Sequence, residues 1–145
     1  MTNLTVDVAV VGGGPGGSTL AALLARRGFS VALIDRDAFP RDKLCGEFLS
    51  YDALPIVEAL DVMGELDSGG APEITHCRVV GRRRTYAFDF PHPARGVSRM
   101  LLDDVLHRRA VALGAQPITA TATGVSRDGV TVEGSAIRAR VVAGA

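Results

Sequence analysis

The chain has 145 residues, a length at which one domain can bury a substantial core. Its 16 basic and 16 acidic residues balance, and 47% of its residues are apolar. This composition favours a globular protein and argues against a nucleic-acid partner, which would select a net basic surface. No apolar run approaches the ~18 residues of a membrane span, and no secretion-signal pattern precedes the first strand, so we expect a cytoplasmic protein without a transmembrane segment.

The metal-binding and disulfide-forming residue types are scattered along the chain. Cys45 and Cys77 have no metal-type spacing and form no disulfide framework. His76, His92 and His107 are equally dispersed, and the pattern assigns chemistry to none of them. The sequence therefore predicts no metal site.

Residues 6–35 contain the strongest pattern in the chain. An apolar strand leads into a glycine-rich turn, and an apolar helix follows from about Ser18 to Arg27, where Gly28 stops it. A second strand, Ser30 to Ile34, ends on Asp35. This is the order of elements that a dinucleotide-binding βαβ unit requires.

The glycines and the acid of this unit have separate physical roles. Gly12 permits a tight turn, Gly14 lets backbone N–H groups approach a pyrophosphate, and Gly17 lets the helix lie close to the sheet. The helix directs its unpaired N–H groups and the positive end of its dipole at the phosphates. Asp35 follows Gly12 by 23 residues, near the ~20 expected for an acid that binds a ribose hydroxyl. The alternative is a turn that serves only strand–helix packing.

The segment after Asp35 departs from a plain NAD-binding half-domain, which would continue quickly into another crossover helix and a third parallel strand. Here an irregular loop covers residues 38–50, a helix is predicted from Asp52 to Met63, and residues 69–72 break the chain. Two strands, Glu73–Val80 and Thr85–Phe90, then form a hairpin that a Pro-His-Pro segment is expected to end. The alternation in the second strand predicts one covered aromatic face, made of Tyr86, Phe88 and Phe90.

The remainder of the chain returns to an α/β pattern. Ser98 is predicted to cap a helix from Arg99 to about Leu113. Its buried stripe is expected to comprise Met100, Leu101, Val105, Leu106 and Ala110. Further strands are predicted at Pro117–Ala122, around Val125, and at Val130–Val132, Ala136–Arg138 and Arg140–Ala145. A cation at a helix start is unfavourable, so Arg99 indicates a phosphate or carboxylate partner nearby.

Four segments together resemble one family. They are the glycine turn with Asp35, the FPRDKLCGE loop at residues 39–47, the RMLLDDVL helix start at residues 99–106, and VVAGA at residues 141–145. They resemble the N-terminal part of FAD-dependent oxidoreductases, a superfamily that includes aromatic-ring monooxygenases and flavin-dependent halogenases. The Cys-Gly-Glu loop is most similar to the geranylgeranyl reductase family.

The resemblance implies an α/β, Rossmann-like FAD-binding domain with a parallel sheet, a βαβ start and a small antiparallel hairpin excursion. Residues 1–145 would be the N-terminal part of that domain, and residues 73–90 would begin a substrate-side antiparallel sheet. The family's later Asp-Gly and Gly-Asp segments do not follow here. We therefore expect a truncated portion of a longer enzyme.

The resemblance also implies cofactor contacts. The pyrophosphate turn would comprise Gly12, Gly14, Pro15, Gly16 and Gly17. Asp35 would bind the adenosine ribose and Arg36 would lie beside the adenosine. Cys45 and Gly46 would run past the flavin, Arg99 would reach the cofactor from its helix start, and Ala122 or Thr123 would offer backbone groups to the adenine.

The implied activity is FAD-dependent redox chemistry. NAD(P)H would reduce the flavin, which would then reduce an alkene or hydroxylate a small organic substrate. The sequence identifies no catalytic acid or base. Two alternatives stay open: an NAD-dependent dehydrogenase, and a non-catalytic fragment that binds FAD or NAD.

Overall fold

The computed structural model describes residues 4–145. A 3-10 turn at Tyr51–Ala53 accompanies four helices and nine strands in this part of the chain. The helices are α1 (Pro15–Arg26), α2 (Leu54–Ala59), α3 (Met63–Ser68) and α4 (Arg99–Ala112). The strands are β1 (Leu4–Val11), β2 (Val31–Asp35), β3 (Phe48–Leu49), β4 (Glu73–Val80), β5 (Thr85–Gly96), β6 (Gln116–Thr119), β7 (Ala122–Ser126), β8 (Gly129–Val132) and β9 (Ser135–Gly144).

The larger sheet has six strands in the order β6-β2-β1-β9-β8-β7. Its first four members run parallel, whereas β8 and β7 are antiparallel. The chain moves from β1 to β2 and β6 on one side and returns to β9 on the other, so the carboxyl end of β1 is a topological switch point. Ligands of open α/β sheets bind at such points.

Two apolar cores lie on opposite faces of this sheet. On one face, Val10 and Leu33 join a core that includes Ala22 of α1 and Val105 of α4. Small buried residues on α1, among them Ala21, allow the helix to lie close to the strands. On the other face, Ile34 joins a second core with residues of β8 and β9. The sheet is thus covered where its parallel strands are, as parallel sheets require.

The predicted Rossmann-like α/β fold is confirmed. The βαβ unit occurs where the sequence indicates, although α1 begins at Pro15 rather than Ser18, because proline is well suited to a first helical position. The third parallel strand, β6, is present beside β2. It follows only after the excursion and α4, which explains why the sequence shows no rapid second crossover.

The single helix predicted from Asp52 to Met63 is wrong. The structure has α2 and α3 instead, separated at Asp61, which adopts φ +56°. Aspartate tolerates this left-handed conformation better than most residues, and it ends the helical path there. The break allows Leu60 and Val62 both to be fully buried.

The excursion forms a three-stranded antiparallel sheet in the order β3-β5-β4. The hairpin strands start as predicted, but β5 continues through its prolines to Gly96. Pairing steps from Ile74–Ala94 to His76–Asp89, so residues 90–93 face only Thr75. A bulge of this kind accepts prolines, because the ladder there does not need their missing N–H groups.

Four expectations about buried faces and strand limits also need correction. Tyr86 and Phe88 are 59% and 52% exposed, so the aromatic face of β5 is not covered. On α4, Met100 is exposed and Leu102 is buried in its place. The strand predicted to reach Ala122 ends at Thr119, and the two last predicted strands form one continuous β9.

None of the helices in the described residues combines the length and apolarity that crossing a membrane needs.

Candidate nucleotide site

The glycine turn lies at the carboxyl end of β1, between the sheet and α1. Gly12 adopts φ +110°, and a Cβ there would come within 2.1 Å of the Ala145 carbonyl oxygen. A Cβ on Gly17 would lie 1.8 Å from the Gly12 carbonyl oxygen. At both positions the backbone approach excludes any larger residue.

The next part of the turn is open. A Cβ on Gly16 would meet nothing within 4 Å, and one on Gly14 would meet only Arg99, whose Nη2 would lie 3.6 Å away. In the described chain α1 has neither a side-chain cap nor an acidic residue in its first turn. Pro15 occupies the start of the helix. The N-terminus of α1 is therefore free for an anion, and an arginine stands beside it.

Asp35 is already oriented by three donors. Its Oδ2 accepts a 2.6 Å hydrogen bond from the Gly13 N–H and a 3.2 Å bond from Arg41 Nη2, and its Oδ1 accepts a 2.9 Å bond from the Asp37 N–H. Burial opposes ionisation, but these hydrogen bonds and the Arg41 charge together hold the pKa of Asp35 below its ordinary value. The carboxylate is thus ionised and fixed beside the turn.

Arg99 pairs with a carboxylate, that of Asp103, as its position at a helix start predicts. Its Nε and Nη2 donate to the two carboxylate oxygens of Asp103 at 2.7 and 2.9 Å. Asp103 is completely buried, and its hydrogen bond is the main cause that raises the pKa of Arg99. The pair directs the guanidinium toward Gly14.

The Cys-Gly-Glu loop passes Arg99 on its exposed side. The Cys45 side chain is exposed, and it contributes slightly to the raised pKa of Arg99, after the larger effect of Asp103. Gly46 is exposed next to it. Cys45 is therefore not the buried structural thiol that would be the alternative to a functional position. Arg36 is exposed as well and pairs with Asp37 at 3.6 Å.

A cavity of about 320 Å³ brings several of the predicted residues together. Its volume is close to the lower limit of typical ligand sites. Thr123 does not line this cavity, and its hydroxyl donates to the Thr131 carbonyl at 3.3 Å. The lining residues are Val11, Gly12, Ile34, Asp35, Arg36, Asp37, Lys43, Ala120, Thr121, Ala122 and Ala145.

A larger cavity, of about 600 Å³, lies in the excursion between the 3-10 turn, α2 and β5. Tyr51, Glu58, His92 and Arg95 are among its lining residues. Its walls are formed by residues 51–95 alone, at a distance in sequence from the glycine turn. We regard the smaller cavity as the candidate site because Gly12 of the glycine turn and the fixed carboxylate of Asp35 line it.

Sequence reasoning gave no role in this region to four residues, namely Phe39, Arg41, Asp103 and His107. Arg41 bridges Asp35 and Asp103, and Phe39 stacks on His107 with ring centroids 4.1 Å apart. The four-residue spacing of Arg99 and Asp103 on a helix is a signal that could have identified that pair. Phe39 and Arg41 lie in an irregular loop, where no periodicity reports a side chain's direction.

Among the described residues, no group of three or more histidines, cysteines or acids is placed to hold a metal ion.

Comparison with known proteins defines the class. A family model described as an FAD-binding domain matches residues 5–142. This chain therefore belongs to the FAD-binding domain family of flavin-dependent oxidoreductases. The open turn at Gly14, the uncapped helix end and the ionised Asp35 fit the phosphates and ribose of that cofactor.

Individual relatives include both reductases and halogenases. A menaquinone reductase of Mycolicibacterium smegmatis is 35% identical over 126 residues, which is 82% of this chain and 30% of the relative. A flavin-dependent halogenase of Armillaria mellea is 34% identical over 118 residues, which is 77% of this chain and 23% of the relative. The chain thus spans less than a third of the length of these curated relatives.

Solved structures agree with this assignment. A flavin-dependent brominase superposes with a TM-score of 0.85 at 26% identity over 97% of this chain and 38% of the other. A geranylgeranyl bacteriochlorophyll reductase-like protein of Thermoplasma acidophilum gives a TM-score of 0.83 at 25% identity, over 99% of this chain and 40% of the other. The predicted resemblance to the superfamily is confirmed.

Proposed function

We propose that this chain forms the part of an FAD-dependent oxidoreductase that holds the adenosine diphosphate half of the cofactor. The observation that carries the proposal is the convergence of the α1 N-terminus, Arg99 and Asp35 on one end of the sheet. An uncapped helix end and an arginine offer binding to phosphate, and an ionised carboxylate offers an acceptor to a ribose hydroxyl.

Different residues of the site would bind different parts of the cofactor. Backbone N–H groups of Gly14, Gly16 and Gly17 would bind the pyrophosphate. Pro15, which has no N–H, and Gly16 would leave the approach open. Asp35 would accept a ribose hydroxyl, Arg36 would lie beside the adenosine, and backbone groups at Ala122 or Thr123 would meet the adenine. Ala122 lines the same cavity as Asp35, which supports this role.

The flavin end would lie toward the exposed loop. Cys45 and Gly46 belong to that loop, and Gly46 leaves space for a flat ring because a Cβ there would meet no atom within 4 Å. Bound FAD supplies the redox chemistry, with NAD(P)H as the reductant. The chain's own residues bind and orient it and keep Asp35 ionised.

The reaction we favour for the whole protein is reduction of an alkene or hydroxylation of a small organic substrate. The menaquinone reductase relative supports the first, and the flavin-dependent halogenase relative supports flavin-dependent modification of an organic substrate as the second. The antiparallel sheet that begins at residue 73 would then lie on the substrate side.

Titration of the chain with FAD, followed by the change in flavin fluorescence, tests the binding proposal. Asp35→Asn is expected to weaken FAD binding about tenfold, because a hydrogen bond to a charged acceptor is worth about 1.5 kcal/mol or more. The control is Asp128→Asn, which makes the same exchange in the exposed β7–β8 turn.

The two alternatives give different results. Saturable binding of NAD together with no binding of FAD would favour the NAD-dependent dehydrogenase. Saturable FAD binding without any oxidation of NADH would favour the non-catalytic fragment. FAD binding that is unaffected by Asp35→Asn would contradict the ribose role.

A further inference from the structure

Arg41 is the buried cation of the site, and the cofactor roles above do not use it. Its side chain is 9% exposed. Nη2 donates to Asp35 Oδ2 at 3.2 Å, and Nη1 lies 3.4 Å from Asp103 Oδ2. One guanidinium therefore connects the end of β2 with the carboxylate that orients Arg99.

Neighbouring rings hold Arg41 in place. The Arg41 guanidinium carbon lies 4.8 Å from the centroid of the Phe39 ring. That ring is nearly parallel to His107 of α4, at an interplanar angle of 13°, and its edge lies 3.1 Å from where a Cβ on Gly13 would be. The loop is thus packed against both the glycine turn and α4, and the arginine has little freedom to turn away.

The hydrogen bonds at Asp35 leave one acceptor position. A carboxylate has about four lone-pair sites, two on each oxygen. The Gly13 N–H and Arg41 occupy both sites of Oδ2, while the Asp37 N–H occupies one site of Oδ1. The remaining site is on Oδ1.

Stability alone is a poor explanation for this arrangement. Within the described part of the chain, Arg41 Nε and Nη1 are buried without a hydrogen-bond partner. A buried ion pair with unsatisfied donors contributes little net stability, because desolvation offsets the attraction. What the arginine does achieve is a fixed direction for the carboxylate of Asp35.

We propose that Arg41 is the positioning residue of the ribose site. It holds Asp35 Oδ2 against the glycine turn and so presents the free acceptor of Oδ1 to one hydroxyl of the ribose, while Asp103 fixes the other end of its guanidinium. Arg41 itself does not touch the nucleotide. The inference rests on the ribose role proposed for Asp35 and extends it.

An arginine is required because the group must span two carboxylates. Its planar fork places two nitrogens in fixed relation, whereas a lysine offers a single point charge on a flexible stem. Arg41→Lys keeps the charge and removes the bridge. It is therefore a sharper variant than a neutral substitution.

The measurement is the ratio of the dissociation constants of 2′,3′-dideoxy-ADP and ADP, each obtained by calorimetric titration of the chain. We expect the wild type to prefer ADP about tenfold. Asp35→Asn should abolish the preference, and Arg41→Lys should reduce it to about threefold or less. The variant that carries both Asp35→Asn and Arg41→Lys should have the same ratio as Asp35→Asn alone, because the two substitutions remove the same preference for the ribose hydroxyls. The control is Arg108→Lys, which alters the ion pairs of a half-exposed arginine of α4 with Asp104 of the same helix and with Glu65 of α3.

The outcomes separate the two proposals. If Asp35→Asn leaves the ratio unchanged, the ribose role of Asp35 fails and the inference fails with it. If Asp35→Asn abolishes the preference while Arg41→Lys weakens both nucleotides equally, Arg41 is only structural and the inference alone is overturned. If Arg41→Lys does not fold, Asp103→Asn removes the other anchor of the same guanidinium, and the same ratio decides.

Discussion

Aromatic residues are used in opposite ways at the nucleotide end of the large sheet and in the small antiparallel sheet. Phe39 lies between the glycine turn and His107, beside a guanidinium that two carboxylates hold. Phe88 is half exposed and meets only Phe90, edge-on at 5.7 Å, among its aromatic neighbours. At the nucleotide end of the large sheet, other residues of this chain therefore cover the aromatic side chain. In the small antiparallel sheet, the aromatic face is left exposed. Exposed apolar patches mark contact surfaces.

The largest expected effect concerns the backbone approach at the glycine turn. Gly17→Ala places a Cβ 1.8 Å from the Gly12 carbonyl oxygen, so the turn or α1 must move. We expect the free energy of unfolding to fall by about 3 kcal/mol or more. Denaturant unfolding followed by circular dichroism measures this loss.

The matched control for that variant is in the same turn. Gly16→Ala meets no atom within 4 Å, and we expect a change within about 0.5 kcal/mol. Equal losses for the two alanine variants would show that the close approach at Gly17 does not determine the result, because helix propensity alone favours alanine over glycine at both positions.

A second comparison uses one phenylalanine from each region. Phe39→Ala removes the stack on His107 and the ring over Gly13, and we expect a loss of about 1–2 kcal/mol in stability. Phe88→Ala is expected to cost less than about 0.5 kcal/mol, because that side chain is half exposed. Denaturant unfolding of the two variants side by side measures the difference. A larger loss for Phe88→Ala would reverse the contrast between the regions.

The smallest expected effect is a dependence of stability on pH. Burial lowers the pKa of His107 below its ordinary value of 6.5, Arg41 acts in the same direction, and Asp104 and Asp35 oppose them. Below 6.5 the unfolded chain takes up this proton before the folded chain does, so the free energy of unfolding falls as the pH is lowered. Above 6.5 the contribution is fully present.

His107→Phe tests this dependence, since it keeps a ring against Phe39 and cannot titrate. Denaturant unfolding on both sides of pH 6.5 should show a flatter dependence for the variant than for the wild type. Identical slopes would remove His107 as the cause.

The sequence predicted those parts of the fold that local patterns determine. The turn from Gly12 to Gly17, the Ser98 cap with its 3.2 Å bond from the Leu101 N–H, and the hairpin from residue 73 all occur as expected. The errors fall where tertiary contacts decide: Asp61 breaks a helix because Leu60 and Val62 must both be buried. The prolines of β5 are accepted because a bulge removes the need for their N–H groups.

The candidate site was predictable to the same extent. Glycine spacing and the distance to Asp35 identified the turn, the acid and the helix, and the resemblance added Arg99. The ligand contacts of these residues stay predictions. Arg41 could not be found from the sequence, because its role depends on the folding back of an irregular loop onto Asp103, which follows it by 62 residues.

The pairing of β1 with β9 has a consequence for how the chain reaches its native state. The Ala145 N–H donates to the Val11 carbonyl, and Ala145 packs against the turn, so residues more than a hundred positions apart in the sequence build one feature. Contacts between residues so distant in sequence form slowly, because a long loop must close before any attraction is gained. We therefore expect the glycine turn, although it is specified by six consecutive residues, to acquire its final shape only when β9 pairs with β1.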